Sequence, residues 1–317
     1  LSWDFNFYLQ EEIKSIEDKK ISRAEKGSLS LGKLGNDANW ARDPKKNHAC
    51  ILLLCEGLSA KNMLVGGISQ IENGSNIYGI LALKGKVLNV ENASRSKINE
   101  NKEILLIKKM LNLERNTDYS IDENFKKLRY HRVYLAVDQD SDGKGHIAAL
   151  ILNYFHKEFP SLLNREFVGM INTPVISVGK ERFYSHEDFK NWQKDNKYSN
   201  KNISYYKGLG SHSSQGVREI FKNLKIVSFK GDEKNNSIMH LSFNKTQSNE
   251  RKKWISEYDP NYEIKNGIKE ERSSCLIEGD QTISDFINAN LILYHKENIN
   301  RSLPNMIDGF KECQRKV

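Results

Sequence analysis

Six residues beginning at Asp138, Asp-Gln-Asp-Ser-Asp-Gly, set carboxylates at alternate positions ahead of a glycine. Acids so spaced converge on a hard cation once the chain turns. The run imitates the first half of an EF-hand loop. Its twelfth position is Ala149, however, where a bidentate Glu is required, and it follows the apolar run RVYLAV instead of a helix. Calcium binding of that kind is therefore set aside. A plainer alternative is a solvated acidic turn capping a helix that starts near Gly145. Glu56 speaks against it. This residue directly follows the apolar run ILLLC and precedes a glycine and a helical segment, so it faces the same sheet edge as Asp138, Asp140 and Asp142 if the two strands are neighbours. Four acids at one edge raise one another's proton affinities unless a divalent cation neutralises them. Magnesium is the natural occupant, since it takes one or two carboxylates plus phosphate oxygens and water, which suits a site acting on a nucleic-acid backbone.

Cations accompany the acids. The stretch GILALKGKV invites comparison with a phosphate-binding loop, but five residues separate Gly79 from Gly85 and Val87 follows Lys86 where Ser or Thr is required, so nucleotide binding there is rejected. Lys84 and Lys86 read instead as a strand-end pair for phosphates, with plain solvent exposure as the alternative. Lys207 in YYKGLG reads the same way, since Gly208 and Gly210 permit close approach of a backbone to a phosphodiester. Overall, 49 Lys+Arg against 41 Asp+Glu give a net charge of +8, which favours a polyanionic partner.

The elements that must position these groups alternate. ACILLLC, YGILALKG, RVYLAVDQD and VGMINTPVISV are apolar strand-like runs, and SAKNMLVGGISQ and GHIAALILNYFHKEF between them are helical. Such a pattern predicts an α/β fold with a mostly parallel sheet and helices on both faces, ligands gathering at the carboxyl ends of the strands. Residues 11–48 are polar and Gly/Ser-rich and read as a linker or arm. Beyond Val227 the chain turns more polar, as expected of a mixed α+β extension. Cys50, Cys55, Cys275 and Cys313 form no CxxC pair, so neither a zinc site nor a disulfide framework is indicated, and a reducing compartment is expected. No apolar run approaches the roughly 20 residues of a membrane span.

Taken in order, Glu56-Gly57-Leu58-Ser59-Ala60-Lys61, LALKGKVLNV, DQDSDG, NTPVISV and YYKGLGS closely resemble the type IIA DNA topoisomerases, nearest to the eukaryotic and large-virus branch. The tail strings DFINANLILY and RSLPNMIDGFKECQRKV resemble the entry to that family's winged-helix DNA-gate domain, so the likeness runs from about residue 30 to 317. The resemblance implies a TOPRIM (Rossmann-like) domain over 46–173, preceded at 1–45 by an arm from the transducer region. It implies an extension and connector over 174–275 and the start of the winged helix over 276–317. Glu56, Asp138 and Asp140, with Asp142 in support, would hold one or two Mg2+ ions at the scissile phosphate; Mn2+ or Ca2+ would substitute for binding. Lys84, Lys86, Lys207, Lys311, Gln314 and Arg315 match DNA-facing positions. The partners implied are duplex DNA and, in the full-length protein, a second copy in a homodimer, with no membrane. ATP would belong to an ATPase domain upstream. The location would be the nucleus of a eukaryote, or host nucleus or cytoplasm for a large DNA virus.

Three departures stand out. Leu58 replaces the family's usual Asp and removes one acid. Lys144-Gly145-His146-Ile147 follows DQDSDG where Ser-His-Ile is usual, an insertion that displaces the helix start and His146. Glu312 and Cys313 replace Pro-Gly, loosening a loop while leaving Lys311, Gln314 and Arg315 in register. None of the 13 tyrosines sits in the context of the family's nucleophile, which is expected beyond Val317, so the fragment alone is expected to be inactive. Tyr205 and Tyr206 read as strand aromatics. Two rivals remain: another TOPRIM enzyme, a primase or nuclease, against which RSLPNMIDGF and YYKGLG weigh, and a non-catalytic nucleic-acid-binding module, against which the four acids weigh.

Overall fold

A computed structural model of the protein describes residues 31–196, 202–259, 262–265, 268–271 and 277–316. Its centre is a seven-stranded sheet of β1 (Gly35–Asn36), β2 (Ile51–Glu56), β3 (Tyr78–Leu83), β4 (Arg132–Ala136), β5 (Val168–Asn172), β9 (Lys225–Lys230) and β12 (Gly279–Thr282), in the order β1-β3-β2-β4-β5-β9-β12. The four strands β3-β2-β4-β5 run parallel. β1 and β9 join them antiparallel, and β12 pairs parallel with β9. A three-stranded antiparallel sheet of β6 (Ile176–Val178), β7 (Glu181–Phe183) and β8 (Ile203–Tyr205), and a hairpin of β10 (Tyr262–Lys265) and β11 (Ile268–Glu271), complete the strands.

The helices that bear on the site are α1 (Gly57–Ile68), α2 (Lys102–Leu111), α3 (Ala148–Glu158), α4 (His186–Asp195), α5 (Ser214–Lys222), α6 (Asn235–Phe243), α7 (Ser248–Ser256) and α8 (Ile292–Ser302). Successive side chains of a strand point to opposite faces. In β2, Leu52 and Leu54 accordingly enter one core with α2, α3 and α6, while Leu53 and Cys55 enter a second with α1 and α5. Leu52, Leu53 and Leu54 are all fully buried, each contributing on the order of 2 kcal/mol by removal from water. This two-sided burial is why the strand reads as an unbroken apolar run, and it bears out the expected α/β sheet with helices on both faces.

Two expectations about organisation need amending. From Leu31 onward the supposed linker is woven into the domain: β1 extends the sheet, Ala38 and Ala41 are buried, and the Ala38 amide donates to the Tyr130 hydroxyl at 2.9 Å. Asp37 is the anchor, accepting from Tyr130 at 2.6 Å and bound to Arg129. Its partners lie more than 90 residues away, and a polar segment tied down through such contacts carries no local signal. At the other end, Ile283, Phe286, Ile287, Leu291 and Tyr294 pack into the same core as α2, α3 and α6, so the start of the tail is continuous with it.

Candidate metal centre and nucleic-acid interface

Because β2 and β4 are adjacent and parallel, with Cys55 opposite Ala136, Glu56 and Asp138 leave the sheet at the same edge. Opposite Glu56 on the other side stands Leu83, the last residue of β3, so Lys84 leaves from this edge too and is exposed. The strand adjacency that the sequence posed as a condition is present.

Asp140 ends the extended stretch and caps the turn after it, its Oδ1 accepting from the Gly143 amide at 2.9 Å. Residues Ser141–Ile147 form this wide π turn, in which the Ala148 amide donates to the Gly143 carbonyl five residues back. A π turn holds one more residue than an α turn, and it delays the regular helix to Ala148, later than the start expected near Gly145. A second wide turn, Ile287–Leu291, abuts the first; a Cβ on Gly145 would stand 2.7 Å from the Asn290 carbonyl oxygen. His146 lies stacked on Tyr294, ring centroids 4.0 Å apart, with burial depressing its pKa to about 4.

The YKGLG loop closes over the acids. The Gln139 amide donates to the Lys207 carbonyl, and the Lys207 ammonium lies 3.2 Å from Asp138 and 3.3 Å from Asp140. Gly208 passes so near that a Cβ there would sit 1.9 Å from Asp138 Oδ1. Burial pushes the Glu56 carboxyl above its usual range, and Asp138 and Asp140 push it further, while Lys207 opposes them. Glu56 Oε2 is buried with no hydrogen-bond partner. Among the described residues no three ligand-type side chains are already drawn close enough to hold an ion. The ammonium of Lys207 occupies the place of a counter-ion between two of them. A hard carboxylate set, an orphaned buried oxygen and mutual repulsion offset by one exposed cation together fit a divalent metal, Mg2+ by donor type, on Glu56, Asp138 and Asp140.

Asp142 is placed differently. Arg301 forks onto it, Nη2 standing 2.9 Å from Oδ1, and Lys86 approaches the same oxygen at 2.9 Å. These contacts, Arg301's first, hold its carboxyl far below the usual range. Lys86 also lies over the Tyr294 ring, 4.9 Å from its centroid. Arg301 is absent from the sequence-based site, since 159 residues separate it from its partner. Its only sequence signal is its place at the head of RSLP.

Lys311, Gln314 and Arg315 are not drawn to the acids. They lie on an exposed segment ending in the turn Glu312–Arg315, with bonds within residues 308–316: Arg315 to Asp308 at 2.7 Å, and the Lys311 amide to Gln314 at 2.8 Å. Leu58 is 45% exposed and leaves the first turn of α1 without an acid. Tyr206 packs as expected, stacked on His212 with its hydroxyl 3.0 Å from Ser177, whereas Tyr205 is exposed. Cys50 and Cys55 are buried free thiols pushed up to about 11 and about 12; Cys275 lies outside the described residues. No helix among the described residues is long and apolar enough to cross a membrane.

Two family models match the chain: the Toprim domain over residues 51–172 and the C-terminal associated domain of TOPRIM over 171–299. DNA topoisomerase 2-alpha of Rattus norvegicus is 36% identical over 292 residues, 89% of this chain and 19% of the relative. DNA topoisomerase 2 of Bombyx mori is 36% identical over 100% of this chain and 20% of its own length. Among solved structures, the DNA-binding, cleavage and re-ligation domain of Plasmodium falciparum topoisomerase II superposes with a TM-score of 0.73 at 31% identity, covering 89% of this chain and 38% of that one. The chain thus spans about a fifth of the length of these curated relatives.

Proposed function

Because this chain belongs to the type IIA DNA topoisomerases, as their TOPRIM region, we propose that its acidic edge is the Mg2+-dependent DNA-cleavage and religation centre of an ATP-driven, homodimeric enzyme that passes one duplex through a transient break in another. The observation that carries this reading is the adjacency of β2 and β4. It brings Glu56 beside Asp138 and Asp140 at one sheet edge, with an oxygen of Glu56 left unpartnered.

Glu56, Asp138 and Asp140 would hold the cation, which when bound supplies Lewis-acid stabilisation of charge on a phosphate oxygen. The residues of this chain perform the rest. Lys84 and Lys207 present ammonium groups at the rim and draw the DNA backbone to the acids. Gly208 lets the main chain lie against Asp138 and fixes its rotamer, and the Asp140 cap on Gly143 sets the start of the acidic turn. Lys311, Gln314 and Arg315 would contact DNA at a distance from the acids, on a segment continued in the longer protein by the winged-helix domain. The attacking hydroxyl comes from a tyrosine outside these 317 residues, so they alone form no covalent adduct with DNA.

The test is relaxation of supercoiled plasmid by the full-length protein with ATP and Mg2+. Glu56→Gln in that protein should lower the rate by about a hundredfold or more, the scale seen when one electrostatic stabiliser of a transition state is lost. Relaxation at the parent rate by the variant would remove Glu56 from the centre.

A further inference from the structure

Helix α8 reaches back across the sheet edge and grips the acidic turn. Besides the Arg301 fork on Asp142, Ser141 donates to Glu297, His146 stacks on Tyr294, and the Tyr294 hydroxyl lies 3.3 Å from Lys86 Nζ. Charge is unevenly shared at this edge. Asp142 is saturated by two cations, Arg301 and Lys86, while Glu56, Asp138 and Asp140 share Lys207. Both cations on Asp142 remain open to solvent, at 40% and 45% exposure.

We propose that Arg301 and Lys86 are positioning residues that together hold Asp142 out of the metal set, so that a DNA phosphate drawing off either cation weakens the hold and lets Asp142 move toward the metal. The guanidinium fork fits a phosphate as well as it fits a carboxylate, and an exposed pair is exchanged at little cost. A phosphodiester at the rim therefore competes with Asp142 for the same donors. Asp142 lies two residues from Asp140, and its charge already reaches the Glu56 carboxyl, whose proton affinity it helps to raise. By linkage, whatever factor DNA adds to metal affinity, metal adds to DNA affinity. The inference rests on the reading of Glu56, Asp138 and Asp140 as the metal site.

The experiment is Mg2+ titration by calorimetry on the 317-residue chain without DNA, for the parent, Arg301→Gln, Asp142→Asn, their combination, and Asp138→Asn/Asp140→Asn. Arg301→Gln should tighten Mg2+ binding about fivefold or more, in the range of ordinary coupling between sites. Asp142→Asn should abolish the gain from Arg301→Gln. Lys86→Gln is a second route to the same release and should act in the same direction. The inference is overturned if Arg301→Gln gives no gain, if its gain persists in the Asp142→Asn background as a bare loss of nearby charge would, or if Asp142→Asn weakens the parent as much as loss of Asp138 and Asp140. Parent-like binding by Asp138→Asn/Asp140→Asn would instead remove the metal reading itself.

Discussion

Lys207 and Asp138 are joined twice, through an ion pair of 3.2 Å and through the main chain after Lys207, where Gly208 lies against Asp138 with no room for a side chain. The loop and the acid therefore cannot be displaced independently. Gly208→Ala would set a Cβ 1.9 Å from Asp138 Oδ1 and 2.9 Å from its Cα, so either the loop lifts or Asp138 changes rotamer. Overpacking of this kind costs about 1–3 kcal/mol. A thermal melt should show a Tm several degrees lower and a smaller stabilisation by Mg2+. Gly210→Ala is the control, since its Cβ would meet only Ser59 and Ala60 at 3.8 and 3.9 Å. Equal melts for the two variants would show that the close approach does not position Asp138.

Three histidines, His146, His212 and His295, are held neutral by burial, each with its pKa depressed to about 4. The unfolded chain takes up these protons near pH 6.5 and the folded chain only near 4, so between those values the unfolded state binds more protons and stability rises with pH. Acidification from pH 6.5 to 4.5 should therefore lower Tm by several degrees, on the order of 1 kcal/mol per histidine after allowing for their partial exposure. His212→Phe, which keeps an aromatic ring against Tyr206, should make the dependence shallower. A Tm that is flat over this window would contradict the account of their burial.

DNA affinity should be sequence-tolerant and steeply salt-dependent, because the cations at the rim seek phosphates and not base edges. If Lys84, Lys86, Lys207, Lys311 and Arg315 all engage a duplex, log affinity should fall against log salt with a slope of about −4 to −5, and Lys84→Ala/Lys86→Ala should flatten it by about two. Fluorescence anisotropy with two unrelated duplexes over a salt series measures both. An unchanged slope in the variant, or strong preference for one duplex, would contradict the assignment.

The parallel sheet was legible because ILLLC and RVYLAV are apolar on both strand faces, and the acids just beyond them mark the carboxyl edge. The neighbouring of those two strands was a condition that sequence could only pose; the register of Cys55 opposite Ala136 satisfies it. Contacts between distant polar residues were not legible. Asp37 on Arg129 and Tyr130, and Arg301 on Asp142, depend on pairings across 92 to 159 residues, and a charged residue in isolation looks the same whether solvated or paired. The late start of the helix at Ala148 was not legible either, since the wide turn before it packs against a second wide turn distant in the chain.

The most direct test of the metal centre is the shift of Tm with Mg2+ for the 317-residue chain and for Asp138→Asn/Asp140→Asn. Ligand that binds only the folded state raises stability in proportion to the logarithm of its concentration over Kd, about 2.7 kcal/mol at a hundredfold excess. The parent should melt several degrees higher in saturating Mg2+ and the double variant should not respond, whatever its melting temperature without metal. A double variant that gains as much from Mg2+ as the parent would place the metal elsewhere and contradict the assignment.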